Sequence, residues 1–210
     1  CYGINALSII LKSAKRYTIQ AVFKPVGQPV GPDDTGVSDW LDTQNHSAYL
    51  IGYPNGTFGP NRSMTRAEVA QMFYNLLLNQ NVVISRTFTD VPADVWYAKA
   101  VNTLASLGIV NGVGNQQYAP DRSITRAEFT AIAMRFAHLD TSGKNIFSGV
   151  TESDWFYPYV TGSIQYGWIN GYGDGTFRPN NTITRAEVTA IVNRMLGRCA
   201  DEDYGKLHED

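Results

Sequence analysis

Three stretches of the chain carry hydrophobic residues at the i, i+3, i+4, i+7 spacing of an amphipathic helix. They are Val69, Met72, Phe73 and Leu76; Phe129, Ile132, Ala133 and Phe136; and Val188, Ile191, Val192 and Met195. Each stretch follows the same tetrapeptide, Thr-Arg-Ala-Glu, at residues 65–68, 125–128 and 184–187. Thr-x-x-Glu before an apolar run is a capping box, so the pattern predicts three helices that begin at the tetrapeptides.

A second helix is predicted ahead of the tetrapeptide in two of the three copies. Hydrophobic spacing places one from Val95 to Leu107, with Trp96 on its apolar face and Gly108 as its left-handed C-terminal cap. Its counterpart runs from Trp155 to Tyr166 and is followed by Gly167. The first copy is too short for such a helix, so we expect its leading helix to be truncated or absent.

The alternation of apolar and polar residues over positions 17–24 is typical of a β-strand, and a Pro/Gly-rich linker follows it. Because no single repeat has a partner for its apolar stripe, the repeats should pack together. We predict an all-α, pseudo-threefold bundle of three helix-loop-helix repeats with a short β-like N-terminal remnant. The predicted boundaries are 1–36 (remnant of an upstream β domain plus linker), 37–80, 81–140 and 141–199 (repeats one to three) and 200–210 (polar tail).

Composition excludes several classes of function. The formal net charge is −2, and no basic stripe marks a nucleic-acid-binding surface. No apolar run reaches the ~20 residues of a membrane span. Cys1 and Cys199 could pair or stay free, and neither has the spacing of a metal ligand. The three histidines lie in unrelated contexts and no catalytic motif is found, so we expect neither an enzyme nor a cofactor or metal.

The arginine of each tetrapeptide is the least expected residue. Arg66, Arg126 and Arg185 fall in the first helical turn, where the helix dipole disfavours a cation by about 0.3–1 kcal/mol. A local ion pair would explain one occurrence, but three at one position favour a shared task. Free amides at a helix N-terminus attract anions, and a guanidinium adds a planar fork for a carboxylate or phosphate. We therefore predict that the arginines bind an anionic ligand and that Arg185→Ala leaves the melting temperature nearly unchanged.

The loops before the tetrapeptides add groups that suit a sugar. Gly52–Phe58 and Gly171–Phe177 offer backbone amides, a hydroxyl and an aromatic ring close to the arginine that follows. Their phenylalanines, and Tyr118 in the second copy, are predicted to lie in the core. The second loop, residues 112–118, lacks the second glycine and the threonine, which puts its site in question.

Taken together, these motifs resemble the S-layer homology domains that anchor bacterial surface proteins to the cell wall. The resemblance covers residues 37–198 and rests on Phe-Thr-Asp-Val, a following Trp, Gly-Tyr-x-Asp-Gly-Thr-Phe-x-Pro and Ile-Thr-Arg-Ala-Glu. It implies binding grooves between neighbouring repeats, an extracellular wall location, and a secondary cell-wall polysaccharide on peptidoglycan as ligand. That polymer commonly bears ketal-linked pyruvate, whose carboxylate would be the anion that the arginines bind.

The site residues that the resemblance implies are Arg66, Arg126, Arg185, Gly56, Gly175, Asp174, Trp96 and Trp155. The two tryptophans could instead be core anchors. We expect a monomer, and the third repeat, with its full loop and helix, is the first choice for a working site. The alternatives are a calcium-dependent module, which the Asn/Asp/Gly loops suggest, and a purely structural protein–protein module, which would not need the arginines.

Overall fold

The structure, a computed structural model, describes residues 6–10, 16–20, 29–45 and 48–198. Two antiparallel strands, β1 (Ala6–Ile10) and β2 (Arg16–Gln20), pair with Ala6 opposite Gln20 and Ile10 opposite Arg16. The helices are α1 (Pro32–Thr35), a 3₁₀ turn (Val37–Asp39), α2 (Arg66–Leu76), α3 (Ala98–Ser106), α4 (Arg126–Met134), α5 (Tyr157–Gln165) and α6 (Arg185–Met195). The predicted all-α class of the repeat region is confirmed. Positions 17–20 of the predicted strand belong to β2. The described residues do not include positions 21–24, the two cysteines or the polar tail.

The three tetrapeptide helices, α2, α4 and α6, begin as predicted. In each one the threonine hydroxyl accepts a hydrogen bond from the glutamate amide, and the glutamate carboxylate accepts one from the threonine amide. The twelve stripe residues are at most 4% exposed. Burying one such side chain contributes about 1.5–3 kcal/mol, so these stripes supply a large part of the core. Phe73 of α2 packs on Phe129 of α4 with ring centroids 5.9 Å apart.

A cycle of hydrogen bonds joins the three repeats just before these helices. The Met64 amide donates to the Ile183 carbonyl (3.1 Å), the Ile183 amide to the Ile124 carbonyl (3.1 Å), and the Ile124 amide to the Met64 carbonyl (3.0 Å). All three side chains are fully buried. We call Met64, Ile124 and Ile183 the amide ring. Because the cycle returns to its start, repeat three meets repeat one as repeat one meets repeat two, which is the predicted pseudo-threefold arrangement.

The leading helices α3 and α5 are shorter at their N-termini than the spacing predicts. Their C-terminal ends agree with the prediction, since Gly108 and Gly167 have left-handed φ angles of 76° and 69°. Trp96 lies in the turn before α3, where helical periodicity does not apply, and its side chain is exposed. The prediction that Trp96 lies on the buried face of this helix is therefore wrong.

A strap, residues 30–42, runs across the C-terminal ends of α2, α4 and α5. The Val30 amide donates to the Tyr166 carbonyl (3.0 Å), the His138 amide to the Thr35 carbonyl (2.8 Å), and the Asp42 amide to the Leu76 carbonyl (2.8 Å). Thr35, Val37 and Leu41 in the strap are buried. Among the described residues from 37 to 65, the 3₁₀ turn is the single helical segment, so the strap covers the core where repeat one has no leading helix.

Replacing Gly36 by alanine should weaken the contact between the strap and the core. Gly36 has φ +79°, and an added Cβ would lie 2.8 Å from the His138 ring. Left-handed backbone costs a non-glycine residue about 1–2 kcal/mol, and overpacking adds about 1–3 kcal/mol. Gly31→Ala is the matched control, because its φ is −61° and its added Cβ would make an ordinary 3.6 Å contact. Urea unfolding should show a loss for Gly36→Ala alone; equal midpoints would contradict this account of the strap.

Candidate functional site: the seams between repeats

Each tetrapeptide arginine is buried and reaches the loop of the next repeat. Arg66 donates through Nε to the Tyr118 carbonyl (2.8 Å) and through a terminal nitrogen to the Asn111 carbonyl (2.6 Å). Arg126 donates through Nε to the Phe177 carbonyl (3.0 Å). These contacts join repeat one to repeat two and repeat two to repeat three.

The third arginine closes the circle. Arg185 of repeat three donates to the Ile51 carbonyl of repeat one (2.9 Å). We name the three junctions by the repeats that they join: seam 1–2 (Arg66 with residues 111–118), seam 2–3 (Arg126 with residues 170–177) and seam 3–1 (Arg185 with residues 51–58). The arginines are 5%, 4% and 2% exposed, in that order, so each seam holds a buried cation.

Aromatic rings cover the buried guanidinium groups. The Arg66 Cζ lies 4.4 Å from the Tyr118 ring centroid, the Arg126 Cζ 4.7 Å from that of Tyr172, and the Arg185 Cζ 4.9 Å from that of Tyr53. A desolvated cation on an aromatic face is stabilised by about 2 kcal/mol. Position 113 of repeat two, the counterpart of both tyrosines at 53 and 172, is Val113, so seam 1–2 lacks that ring.

The capping-box glutamates also serve the seams. Glu187 pairs with Arg126 at 3.0 Å and accepts a hydrogen bond from the Tyr172 hydroxyl (2.8 Å). Glu128 pairs with Arg122 and, at 3.7 Å, with Arg66. Burial acts to raise the pKa of Glu128, but hydrogen bonds from Thr125 and Arg122 and the charges of Arg122 and Arg66 lower it overall. Glu128 therefore stays a carboxylate between two cations.

The expectation that the helix N-termini offer free amides to an anion is wrong. In α2 the Arg66 and Ala67 amides donate to the Arg122 and Pro120 carbonyls of repeat two, both at 3.0 Å. The helices α4 and α6 repeat this pattern with carbonyls of the next repeat: Asn181 and Pro179 for α4, and Arg62 and Pro60 for α6. The dipole's preference for an anion is met by backbone oxygens, and the arginine side chain extends to the neighbouring loop instead.

Sequence reasoning also paired the arginines with the wrong loops. It assigned each arginine to the loop just before it, whereas the guanidinium contacts the loop of the following repeat. The predicted core positions are confirmed: Phe58, Tyr118 and Phe177 are at most 2% exposed. Burial raises the pKa of Tyr118 to about 12, and its hydroxyl donates to the Arg66 carbonyl (3.1 Å).

The predicted loop residues build the turns of repeats one and three. Gly56 and Gly175 have φ of 77° and 78°, and their amides donate to the Tyr53 and Tyr172 carbonyls, both at 2.9 Å. Asp174 accepts hydrogen bonds from Thr176 and pairs with Arg178 at 2.7 Å; these contacts hold its pKa well below the usual range.

In repeat two the turn is different. Asn115 and Gln116 both have positive φ, 49° and 55°, and the Gln117 amide donates to the Gly114 carbonyl (2.8 Å). These features describe a two-residue type I′ turn. The second loop therefore departs from the other two in backbone as well as in sequence.

Trp96 and Trp155 are exposed to solvent, at 62% and 58%. Neither is a core anchor. Each is oriented by an edge-to-face contact with the ring that follows it, Tyr97 at 5.1 Å and Phe156 at 5.5 Å between centroids. Burial, and then the carboxylates of Asp121 and Asp90, raise the pKa of Tyr97. Asp90 itself lies at seam 1–2, where its carboxylate accepts hydrogen bonds from the Tyr118 amide (2.8 Å) and the Ala119 amide (2.7 Å).

Sequence reasoning missed a second arginine at each seam. The Arg62 Cζ lies 4.6 Å from the Tyr53 centroid and the Arg178 Cζ 4.2 Å from the Tyr172 centroid, so each tyrosine contacts two guanidinium groups. Arg122, paired with Glu128, is the second arginine of seam 1–2. Arg62 and Arg122 stand three residues before their tetrapeptides, but repeat three has Asn181 there and uses Arg178, so no fixed spacing reveals all three.

The comparison with known families agrees with this cyclic architecture. The model of the S-layer homology domain matches residues 46–70, 87–130 and 146–189, more than half of the chain. The chain belongs to the S-layer homology family. Members of this family anchor surface proteins by binding cell-wall polymers, so this S-layer homology region is an extracellular, wall-associated anchoring module.

Relatives of very different size share this region. The chain is 37% identical over 168 residues to the cellulosome-anchoring protein of Acetivibrio thermocellus, covering 74% of this chain and 37% of the relative. It is 34% identical over 180 residues to cell surface glycoprotein 1 of the same organism, covering 79% and 8%. It is 36% identical over 170 residues to an amylopullulanase of Thermoanaerobacterium thermosulfurigenes, covering 78% and 16%. The chain thus spans between about a tenth and two fifths of these curated relatives.

The described part of the chain has no helix that is both long enough and apolar enough to span a bilayer. In the same part, no three His, Cys, Asp or Glu side chains converge as a metal site requires.

Replacing Arg126 by alanine should destabilise the S-layer homology region. The change removes two hydrogen bonds of a buried cation and leaves the Phe177 carbonyl and Glu187 without this donor. The expected loss is roughly 3 kcal/mol, a fall in the melting temperature of roughly 6–12 °C. Arg178→Ala at the same seam, with its side chain 44% exposed, should change the midpoint little. An Arg126→Ala melting temperature equal to that of Arg178→Ala would contradict the structural role of Arg126. Because Arg185 is buried too, we expect Arg185→Ala to lower the melting temperature, unlike the expectation from sequence.

Proposed function

We propose that this module anchors its protein by binding a secondary cell-wall polysaccharide, one that carries carboxylate groups such as ketal-linked pyruvate, along the seams. The observation that carries the proposal is the presence of two arginine side chains at every seam, on a chain whose formal net charge is −2. Guanidinium groups are thus concentrated where the repeats meet. An acidic polymer would be attracted to such positions, and more strongly at low salt.

The exposed tryptophans supply the second part of the proposal. Trp96 and Trp155 present large aromatic faces to solvent in orientations set by their neighbours. Aromatic faces stack on the apolar faces of sugar rings, and their fixed orientation lowers the entropy that binding costs. Because the polymer contains many sugars, one sugar can stack on a tryptophan while another places its carboxylate near an arginine.

The remaining predicted residues act through the shape and charge of the seams. Gly56 and Gly175 hold the left-handed turn positions of two loops. Asp174 fixes one of these turns and neutralises Arg178. The buried Arg66, Arg126 and Arg185 join the repeats and contribute positive potential to the seams. We propose that the module works as a monomer, because the ring closes within one chain.

The proposal is tested by sedimentation with wall sacculi. The module should pellet with sacculi that retain their polysaccharide, and mild acid that removes pyruvate should weaken binding. Raising the salt concentration should weaken it too, because screened charges attract less. Undiminished binding to peptidoglycan stripped of its polysaccharide would contradict the proposal.

The tryptophans can be tested without disturbing the fold. Trp96→Ala and Trp155→Ala should each reduce binding to intact sacculi by roughly five-fold or more, since each removes an exposed stacking surface. Their melting temperatures should stay close to that of the parent protein, because the side chains are mostly exposed. Val83→Ala, at a side chain 89% exposed, is the control for losing surface apolar area. Tryptophan variants that bind as well as the Val83 variant would remove these residues from the site.

A further inference from the structure

The three seams differ in how their arginines are neutralised. At seam 1–2, Arg66 and Arg122 both pair with Glu128. At seam 2–3, Arg126 pairs with Glu187 and Arg178 with Asp174. At seam 3–1, neither Arg62 nor Arg185 pairs with a carboxylate within the described part of the chain. Within the residues that the structure describes, seam 3–1 thus holds two cations that make no ion pair.

The buried arginine of seam 3–1 is also the least satisfied. Arg66 and Arg126 each use Nε to reach the carbonyl of an aromatic residue in the next loop. The Nε of Arg185 is buried and has no hydrogen-bond partner among the described residues. Arg185 donates to the Ile51 carbonyl but has no ion pair among the described residues, and a buried cation of this kind keeps much of its field because little water is present to screen it.

The loop of repeat one explains why this seam lacks neutralising charge. Asn55 stands where repeat three has Asp174, and it makes the same turn contacts: its side-chain oxygen accepts from the Thr57 amide (3.1 Å) and hydroxyl (2.7 Å). Asn55 thus keeps the turn and omits the carboxylate. Glu68, which caps α2, accepts a 3.4 Å hydrogen bond from the Tyr53 hydroxyl.

We infer that seam 3–1 is the principal anion site of this module, and that the exposed Arg62 is the residue that contacts the anion. Arg62 lies at the surface against Tyr53, whose ring also contacts Arg185. The buried Arg185 acts through its field, and Arg62 offers the accessible planar fork for a carboxylate of the wall polymer. At the other two seams the protein's own carboxylates already occupy the equivalent arginines. This inference rests on the proposed function and names the seam and the residue that carry it.

The charge balance supports this choice over the buried arginines of the other seams. Among the described residues, the two cations of seam 3–1 have no ion pair, and Glu68 reaches the seam through the Tyr53 hydroxyl. Seam 2–3 combines two cations with two carboxylates, Glu187 and Asp174. Seam 1–2 also has two, because Asp90 accepts hydrogen bonds from the Tyr118 and Ala119 amides of the seam loop and Glu128 pairs with both arginines. An anion approaching seam 3–1 displaces no existing ion pair.

The test uses single substitutions in the whole chain and measures sedimentation with sacculi that retain their polysaccharide. Arg62→Gln should lower the affinity about ten-fold, the effect of losing one charge-assisted contact. Asn55→Asp, which adds the carboxylate that repeat three carries, should lower it similarly while keeping the turn. Arg122→Gln and Arg178→Gln are the comparison variants at the other two seams, since both side chains are 44% exposed and already ion-paired; each should lower the affinity clearly less than Arg62→Gln does.

Thermal midpoints of all four variants should match that of the parent, which separates binding from folding. Arg62→Gln binding as tightly as the parent, or Arg178→Gln losing as much as Arg62→Gln, would overturn the assignment of seam 3–1. Binding by the parent protein that survives acid removal of pyruvate but still falls in Arg62→Gln would keep the seam and assign it another anion of the wall. Failure of the parent protein to bind sacculi would instead contradict the proposed function itself.

Discussion

A buried guanidinium that is satisfied by the next repeat is the interaction on which this structure depends. Each of Arg66, Arg126 and Arg185 extends from the start of a central helix into the loop of its neighbour. An isolated buried cation would cost many kcal/mol, so each arginine requires its neighbour to be in place. Because three repeats satisfy one another in turn, the requirement closes into a ring, and no single repeat can meet it alone.

The ring is symmetric in backbone but not in charge. The amide ring and the capping boxes repeat in all three copies, whereas the ion pairs of the seams differ from copy to copy. Seams 1–2 and 2–3 use their carboxylates to hold the structure together. Seam 3–1 makes fewer such contacts. At the opposite end of α6, Arg198 joins repeat three to the strap by donating to the Asp42 carbonyl (2.8 Å). Stability and ligand binding are thus divided among seams that share one architecture.

Local rules predicted the parts of the fold that local physics decides. Capping boxes and the apolar stripes of α2, α4 and α6 follow from spacing within a few residues, and the structure confirms them. The partner of each arginine could not be predicted this way, because it lies 45 to 134 residues away in the chain. Trp96 was placed on a helix that begins two residues after it, which shows how an uncertain boundary changes a burial prediction.

The seam arginines outside the tetrapeptides were missed for a related reason. Arg62 and Arg178 reach equivalent rings from different positions in their repeats, and a periodic search does not align them. The role of Asn55 became apparent only beside Asp174, as a residue that preserves a turn and leaves out a charge. Comparing the contacts of equivalent positions, copy by copy, is what separates one seam from the other two.

Native-state hydrogen exchange of the amide ring tests closure of the ring most directly. The amides of Met64, Ile124 and Ile183 each donate across a different seam, so one experiment reports on all three junctions. If the ring closes within one chain, the three amides should exchange slowly, with similar opening free energies near that of global unfolding, and independently of protein concentration. Rapid exchange of the Met64 amide, which spans seam 3–1, with continued protection of the other two, would show an open chain of repeats and contradict the account.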